Sequence, residues 1–259
     1  MSSMAAVRGV RRCGGLPSLW RWHLPASTEL DRHEIQRLLS RWLDVDPHSP
    51  RKAWSWTAVS SGRETALDIG LLDDTLAHRL LDGADTHRRR PSGTLRVREQ
   101  PIPHATVTWA QLADGRDRAE WTVEFISPVT FRRGSRLLPW PEPTAVLGSL
   151  LADWRAFGAD IIGDLPVELS VDPVVVTAVS GASRVEQVVL HEHDHSLGNV
   201  REPVRATIGG FLGFLRYAVE GPTDRRAIDS LFRLAPFAGV GAHTTHGFGG
   251  TRLPSATTN

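Results

Sequence analysis

The sequence predicts an α+β fold of two tandem ferredoxin-like domains, because the order of elements βαββαβ occurs twice in 259 residues. Each half contains a helix with the same spacing of apolar residues, and the segment "LLADW" at 150–154 resembles "LLSRW" at 38–42. We place the domains at residues 1–115 and 116–259, joined by the polar segment 112–119. RNA-recognition (RRM-like) folds share this topology, although a topology alone does not define a function.

The first domain is predicted to begin with a strand at 18–25 and a helix at 27–43. In that helix Thr28 and Asp31 resemble a capping box. Apolar side chains at i, i+3, i+4 and i+7 form one stripe: Ile35, Leu38, Leu39 and Trp42. The unit is completed by strands at 53–61 and 64–72, a helix at 73–83 that ends at Gly83, and a strand at 93–100.

The second domain is predicted to repeat this order, with a helix opened by Pro141 and Pro143. Its other elements are strands at 119–131, 166–180, 184–193 and 204–221, a helix at 223–239 and a short strand at 250–254. A glycine-rich loop, "GVGAHTTHGFGG" at 239–250, stands before the last strand. Paired tryptophans at period two, Trp20 with Trp22 and Trp54 with Trp56, favour core positions beneath the helices over exposed base-stacking surfaces.

Composition excludes several classes of protein. No run approaches 18 apolar residues, and the basic N-terminus has no apolar core behind it, so we expect neither a membrane partner nor a secretory signal. The single cysteine, Cys13, excludes an internal disulfide framework. We therefore expect a cytoplasmic protein.

Arginine is strongly preferred over lysine, since 29 of the 30 basic residues are arginine and Lys52 is the exception. The planar guanidinium group suits phosphate because it donates two hydrogen bonds at once. For any single cluster of arginines, a solvated helix or strand face is the more ordinary explanation. The clusters are nevertheless candidate RNA-binding residues: Arg88, Arg89, Arg90, Arg132, Arg133, Arg225 and Arg226.

Three segments of the second half resemble the CRISPR repeat-processing endoribonucleases of the RAMP superfamily: 125–158, 209–221 and 234–253. Within them "FAGVGAHTTHGFG" is the most specific part, and the first half is similar through "DPHSPRKAWSWTAV" at 46–59. The resemblance implies two ferredoxin-like domains and a glycine-rich loop before the last strand. It also implies cleavage of precursor CRISPR RNA at its repeats into guide RNAs, without a metal or other cofactor.

Metal-free RNA cleavage uses the neighbouring 2′-OH as the nucleophile, and therefore needs a proton acceptor, a proton donor and positive charge at the phosphorus. The segment "DPHSPRK" supplies candidates for all three within five residues: His48, Arg51 and Lys52. The family resemblance places a catalytic histidine after the first helix, where His48 lies. Some family members add a tyrosine from that helix, whereas the only tyrosine here is Tyr217 in the second domain.

The glycine-rich loop suggests contacts with RNA, because exposed backbone N–H groups attract phosphate. The candidate residues are Gly239, Gly241, Gly247 and Gly249 with His243 and His246. A loop that turns a corner, or that braces the two domains, explains the same glycines.

Two other functions remain open from the sequence. The chain is compatible with a non-catalytic RNA-binding RAMP subunit of a CRISPR complex, which keeps the arginines but lacks the chemistry. Alternation in "HEHDH" would place His191, His193 and His195 on one face of a strand. Three imidazoles on one face can bind zinc, so a metal-dependent hydrolase is the other alternative. The sequence leaves open whether the protein is a monomer or a homodimer and whether other CRISPR-associated subunits bind it.

Overall fold

The computed structural model describes residues 15–25, 30–46, 48–61, 64–91, 93–97, 99–165, 170–191 and 204–254. The first half contains a four-stranded antiparallel sheet in the order β2-β3-β1-β4. Its elements are β1 (Ser18–Leu24), α1 (Arg32–Leu43), β2 (Trp54–Ser61), β3 (Glu64–Leu71), α2 (Thr75–Arg89), β4 (Ile102–Thr106) and α3 (Trp109–Ala113).

The second half contains another four-stranded antiparallel sheet, in the order β10-β5-β9-β8. Its elements are β5 (Glu120–Val129), β6 (Phe131–Arg133), β7 (Arg136–Leu138), α4 (Pro143–Phe157), α5 (Ala159–Ile162), β8 (Val174–His191), β9 (Val204–Val219), α6 (Arg225–Ala238), a 3₁₀ turn (Thr244–His246) and β10 (Thr251–Arg252). The strand that opens each βαββαβ unit lies between its last and third strands in both sheets. The predicted α+β class and its two antiparallel sheets are confirmed.

Each sheet buries one face beneath its helices. In the first half Trp22, Trp54 and Trp56 are fully buried and pack against the apolar stripe of α1. In the second half the side chains of α4 and α6 pack on Trp121 and on other core residues of β5 and β9. The interpretation of the paired tryptophans as core residues is thus confirmed for these three side chains, while Trp20 is only partly buried.

Two predicted boundaries in the first half are wrong. Helix α2 continues through Gly83 to Arg89, because a glycine is tolerated inside a helix and this one lies against the ring of Trp42. The described residues of 93–100 form no strand, and the edge strand is β4 instead. Leu95 is buried there, but its N–H donates to the Glu34 carboxylate rather than to a neighbouring strand.

Other differences concern details that local patterns do not define. Helix α1 begins later than predicted, with the Asp31 side chain as its N-cap, and Thr28 lies outside the described residues. The predicted strands at 166–180 and 184–193 are one long strand, β8, where described. The short helix α3 and the hairpin of β6 and β7 were not predicted.

The two halves contact each other where the C-terminal end of α6 meets the face of the first sheet opposite its helices. A Cβ atom on Gly70 would lie 2.0 Å from the Phe237 carbonyl oxygen, so only glycine allows this approach. Asp68 in β3 receives two hydrogen bonds from Arg21 and lies 3.7 Å from Arg252 of the second half. Among the described residues no helix is long and apolar enough to cross a membrane.

Candidate active site and glycine-rich segment

The chain between α1 and β2, residues 44–53 (the α1–β2 loop), presents His48 to solvent. The Asp46 carboxylate accepts a hydrogen bond from the His48 backbone N–H at 2.9 Å, and the Asp46 carbonyl accepts one from Ser49 N–H at 3.2 Å. Asp44 is fixed in turn by the Trp54 indole N–H at 2.8 Å. The loop backbone is therefore held from within, while the His48 imidazole remains accessible to a ligand.

Both cations of the loop are bound to oxygens of the protein. The Arg51 guanidinium donates to Asp153 of α4 at 2.5 Å. Lys52 Nζ donates to the Asp46 carbonyl at 2.8 Å and lies 3.5 Å from the Asp44 carboxylate. The structure thus brings His48, Arg51 and Lys52 onto one loop, and it gives the two cations structural partners.

Asp153 has an unusual environment for a carboxylate. Burial raises the pKa of Asp153 to about 6, and the charge and hydrogen bond of Arg51 oppose that shift without cancelling it. The Arg51–Asp153 pair therefore carries its full charge only above about pH 6.

A cavity opens between the α1–β2 loop, the start of α2 and the helix α5. Its walls carry the carboxylates of Asp44, Asp46, Asp73 and Asp160 beside Arg51 and Lys52. The acidic groups outnumber the basic ones, so a phosphate is repelled from this cavity.

Residues 239–250, the glycine-rich segment, lie between α1, β2 and the strands β5 and β6. The indole N–H of Trp56 donates to the Thr245 carbonyl at 2.8 Å, and Arg32 donates to the Gly247 carbonyl at 2.8 Å. Four of its glycines have positive φ: Gly239, Gly241, Gly247 and Gly249. A Cβ atom on Gly249 would lie 1.9 Å from the Val240 carbonyl oxygen, so the chain passes too close to itself for any other residue.

Several backbone N–H groups of the glycine-rich segment are bonded inside the protein. Those of Gly241 and Gly250 donate to the side chains of Ser149 and Ser127. Those of Val240, Ala242 and Gly249 donate to backbone carbonyls of Gly249, Thr130 and Pro128. These five donors are not available to a phosphate, and they tie the segment to β5 and α4.

The two histidines of the glycine-rich segment lie together, with ring centroids 5.7 Å apart. His243 adopts a left-handed backbone with φ of 63°, which is unusual for a residue other than glycine. Burial and the nearby charge of Arg132 lower the pKa of His243, which favours its neutral form. Its Nε2 is buried and has no hydrogen-bond partner among the described residues.

The arginine clusters occupy three separate places. Arg132 and Arg133 are exposed on the β6–β7 hairpin beside His243. Arg225 and Arg226 begin α6, and the C-terminal end of α6 leads into the glycine-rich segment. The length of the helix therefore separates these two arginines from the segment by about 20 Å. At the end of α2, Arg88 and Arg89 form ion pairs with Asp85, and Arg90 is exposed.

Helix α1 separates the loop of His48 from the glycine-rich segment. Arg32, the first residue of α1, bonds the segment, whereas the α1–β2 loop follows its last residue, Leu43. Twelve residues of helix extend about 18 Å, so these features form two sites rather than one.

Arg32 itself was missed by the sequence reasoning. It forms a 2.8 Å ion pair with Glu186 of β8, and its guanidinium lies 6.0 Å from the Trp56 ring and 5.4 Å from the Phe248 ring. No local pattern marks it, since an arginine in the first turn of an amphipathic helix is ordinary on a solvated face.

The remaining candidates are accounted for as follows. The Tyr217 hydroxyl is buried and donates to the Pro141 carbonyl at 2.9 Å, and burial raises its pKa. His193, His195 and the side chain of His191 lie outside the described residues. Elsewhere, the part of the chain that the structure describes has no group of three or more histidine, cysteine, aspartate or glutamate side chains arranged to hold a metal.

Comparison with known proteins gives concordant matches. The family model of the CRISPR-associated endoribonuclease Cas6 matches residues 123–251. The curated Cas6 proteins of two Mycobacterium tuberculosis strains are 26% identical over 135 residues, a match that spans 52% of this chain but only 38% of their length.

Solved structures extend the similarity in fold to both halves of the chain. A Cas6 product complex has a TM-score of 0.72 and 22% identity, covering 93% of this chain and 100% of the other. A Cas6 substrate mimic complex has a TM-score of 0.64 and 21% identity, covering 92% and 99% of the two chains. Thermus thermophilus Cas6 has a TM-score of 0.62 and 21% identity, covering 93% and 99%.

Proposed function

Because the chain belongs to the Cas6 family of CRISPR-associated endoribonucleases, we propose that it cleaves precursor CRISPR RNA within its repeats to release guide RNAs. The family match covers most of the second half, and the candidate catalytic group lies in the first half. The proposal therefore assigns the chemistry to the domain of residues 1–115 and most of the RNA binding to the domain of residues 116–259.

The observation that carries the proposal is the exposed imidazole of His48 on a loop whose backbone is fixed. Histidine titrates near neutral pH and serves as general base or general acid. In the proposed reaction the 2′-oxygen attacks the phosphorus while its proton passes to a base. The bond from phosphorus to the 5′-oxygen breaks, and that oxygen receives a proton. The products are a 2′,3′-cyclic phosphate and a 5′-OH, and His48 performs one of the two proton transfers.

Lys52 and Arg51 place positive charge beside His48. Lys52 is bonded to the carbonyl of Asp46, the residue whose carboxylate fixes the His48 backbone, so the two side chains share one support. A positive charge held close to the reacting phosphate stabilises the additional negative charge of the transition state. No metal or other cofactor takes part in this scheme.

RNA binding is proposed for the basic hairpin and the glycine-rich segment. Arg132 and Arg133 are exposed beside His243 and His246, and together they provide charge and hydrogen-bond donors for a phosphate backbone. Gly239, Gly241, Gly247 and Gly249 act through the shape of the segment. The clusters at 88–90 and 225–226 would contact more distant phosphates.

The test is cleavage of a cognate repeat RNA in EDTA. Three samples are compared: the native protein, His48→Ala, and His78→Ala as a control on an exposed histidine of α2. A parallel RNA carries a 2′-deoxy sugar at the cut. We expect cleavage by the native protein and the control, and loss of cleavage with His48→Ala and with the 2′-deoxy RNA.

A second candidate function has one observation in its favour: Arg51 and Lys52 are both engaged by groups of the protein. A protein that binds repeat RNA tightly but does not cut it would be a non-catalytic RNA-binding subunit. Activity that appears only with added zinc would instead indicate the metal-dependent alternative.

A further inference from the structure

One ion pair connects the α1–β2 loop to the opposite half of the molecule. Arg51 in the loop and Asp153 in α4 are 102 residues apart in the sequence, and their side chains meet at 2.5 Å. The Asp153 side chain is 13% exposed and that of Arg51 is 40% exposed, so the carboxylate lies inside and the guanidinium reaches in from the surface.

The loop transmits this attachment toward His48. The Ser49 hydroxyl donates to the Arg51 carbonyl at 2.7 Å, and the Ser49 N–H donates to the Asp46 carbonyl. Asp46 in turn accepts from the His48 N–H. Only two residues lie between His48 and Arg51, so a shift of Arg51 moves the backbone that presents the imidazole.

Stability alone is a poor explanation for the pair. Removing a carboxylate from water is unfavourable, and a buried ion pair at best offsets that penalty, whereas an apolar pair of similar volume serves equally well. An ion pair with defined geometry, by contrast, selects one position for a loop that otherwise contacts solvent.

We propose that Asp153 is a positioning residue for the cleavage reaction, acting through Arg51 to hold the His48 loop against α4. The inference rests on the proposed function, since it gives His48 a task in cleavage. Asp153 touches no RNA in this account, and a displacement of about 1 Å at a reacting group lowers rates by up to about a hundredfold.

The environment of Asp153 gives this pair a signature in pH. With its pKa raised to about 6 by burial, the carboxyl group becomes neutral as the pH falls below that value. The charged group that faces Asp153 is Arg51 of the loop. Arg155, on the same helix as Asp153, bonds Asp164 instead. Asp160 of α5 lines the cavity beside Arg51. Asp153→Asn imitates the neutral form at every pH.

The experiment compares the native protein with Asp153→Asn, Arg51→Ala and Arg51→Lys. Single-turnover cleavage at saturating protein and the RNA Kd are measured from pH 5 to pH 8. Asp160→Asn is the matched control, because Asp160 is a carboxylate of the same cavity for which no bond to Arg51 is recorded in the described structure.

We expect Asp153→Asn to reduce the saturating rate about tenfold or more at pH 8, with the Kd unchanged within about twofold. Arg51→Ala should lose at least as much, and Arg51→Lys should recover part of the rate. A double variant that combines Arg51→Ala with Asp153→Asn should be no worse than Arg51→Ala alone. The ratio of native to Asp153→Asn rates should fall toward one below about pH 6.

A native rate in Asp153→Asn, a ratio that stays constant with pH, or a loss confined to the Kd would overturn the proposal. If Asp153→Asn does not fold, Arg51→Lys answers the same question, because it changes a more exposed side chain and keeps the positive charge of the loop while altering the geometry of the pair. Failure of the proposed function has a different pattern: His48→Ala then cleaves like the native protein. A dead His48→Ala with a fully active Asp153→Asn rejects the positioning role alone.

Discussion

The α1–β2 loop and the glycine-rich segment are both irregular, yet they are held in different ways. The loop has a few polar attachments, at Asp46, Lys52 and the Arg51–Asp153 pair, and His48 remains exposed. The segment is bonded along most of its length and buries Phe248 and Val240 completely. The comparison teaches that the loop is suited to present a side chain to solvent, whereas the segment is suited to hold a fixed shape between α1, β2 and β5.

Steric demand explains why the glycine-rich segment is the more recognisable sequence. Its glycines are required because the backbone passes close to other atoms. Gly249 approaches Val240 in this way, and a Cβ atom on Gly241 would lie 2.3 Å from the Thr130 carbonyl oxygen. The proton transfer that we propose for the loop needs one histidine and a few polar anchors, which many sequences provide. The strongest sequence signal therefore marks a closely packed segment rather than the residues of the proposed chemistry.

The largest effect on stability should come from Gly249→Ala. The new methyl group would meet the Val240 carbonyl oxygen at 1.9 Å in a backbone with φ of 67°, so the segment must shift or its bonds to β5 must break. We expect a loss of about 3 kcal/mol in the free energy of unfolding, measured by denaturant titration.

The control for that change is Gly134→Ala in the β6–β7 hairpin. Gly134 has a similar φ of 61° but nothing within 4 Å of a Cβ position. Gly134→Ala should lower the free energy of unfolding only by the cost of placing alanine in a left-handed backbone, about 1 kcal/mol. Equal losses at the two positions would show that glycine is needed at position 249 for its backbone conformation and not for close packing.

A smaller effect is expected from Arg32→Ala, which removes the connection between α1, the segment and β8. The Glu186 carboxylate and the Gly247 carbonyl would both lose a partner in a partly buried place. We expect a loss of about 2 kcal/mol in the free energy of unfolding. Arg155→Ala, whose partner Asp164 is at the surface, should change it by less than about 0.5 kcal/mol. A small loss from Arg32→Ala would mean that the rings of Trp56 and Phe248 hold the segment without it.

The smallest expected effect is on RNA affinity, from Arg132→Ala in the hairpin beside His243. Loss of one phosphate contact should weaken binding of repeat RNA about tenfold and reduce the slope of log Kd against log salt by about 0.7–1. Arg79→Ala, on an exposed face of α2, is the matched control and should leave the slope unchanged. The same slope for Arg132→Ala and native protein would place the RNA elsewhere.

Periodicity was sufficient to predict the two sheets and their principal helices. The apolar stripes of α1 and α4 and the paired tryptophans each report one buried face, which is a local property of the chain. Where tertiary contacts override local pattern, the predictions failed. Gly83 continues a helix because Trp42 packs on it, and residues near Leu95 are extended without a ladder because Glu34 binds their N–H groups.

The candidate site was likewise predictable from local sequence but not in its tertiary contacts. The sequence places His48, Arg51 and Lys52 close together because they are neighbours in the chain. It cannot show that Arg51 meets Asp153 or that Arg32 meets Glu186, since those partners are distant in sequence and carry no local signal. The glycine-rich segment was recognisable, but the use of its N–H groups depends on Ser127 and Ser149, which only the fold brings near.

The division of labour between the two regions is tested most directly by measuring saturating single-turnover rate and RNA Kd side by side for His48→Ala and His246→Ala. The account predicts that His48→Ala loses at least about a hundredfold in rate and keeps its Kd. His246→Ala should weaken binding and keep most of its rate at saturation. A His246→Ala protein that binds normally but does not cut, beside a His48→Ala protein that cuts, would move the chemistry to the glycine-rich segment and contradict the account.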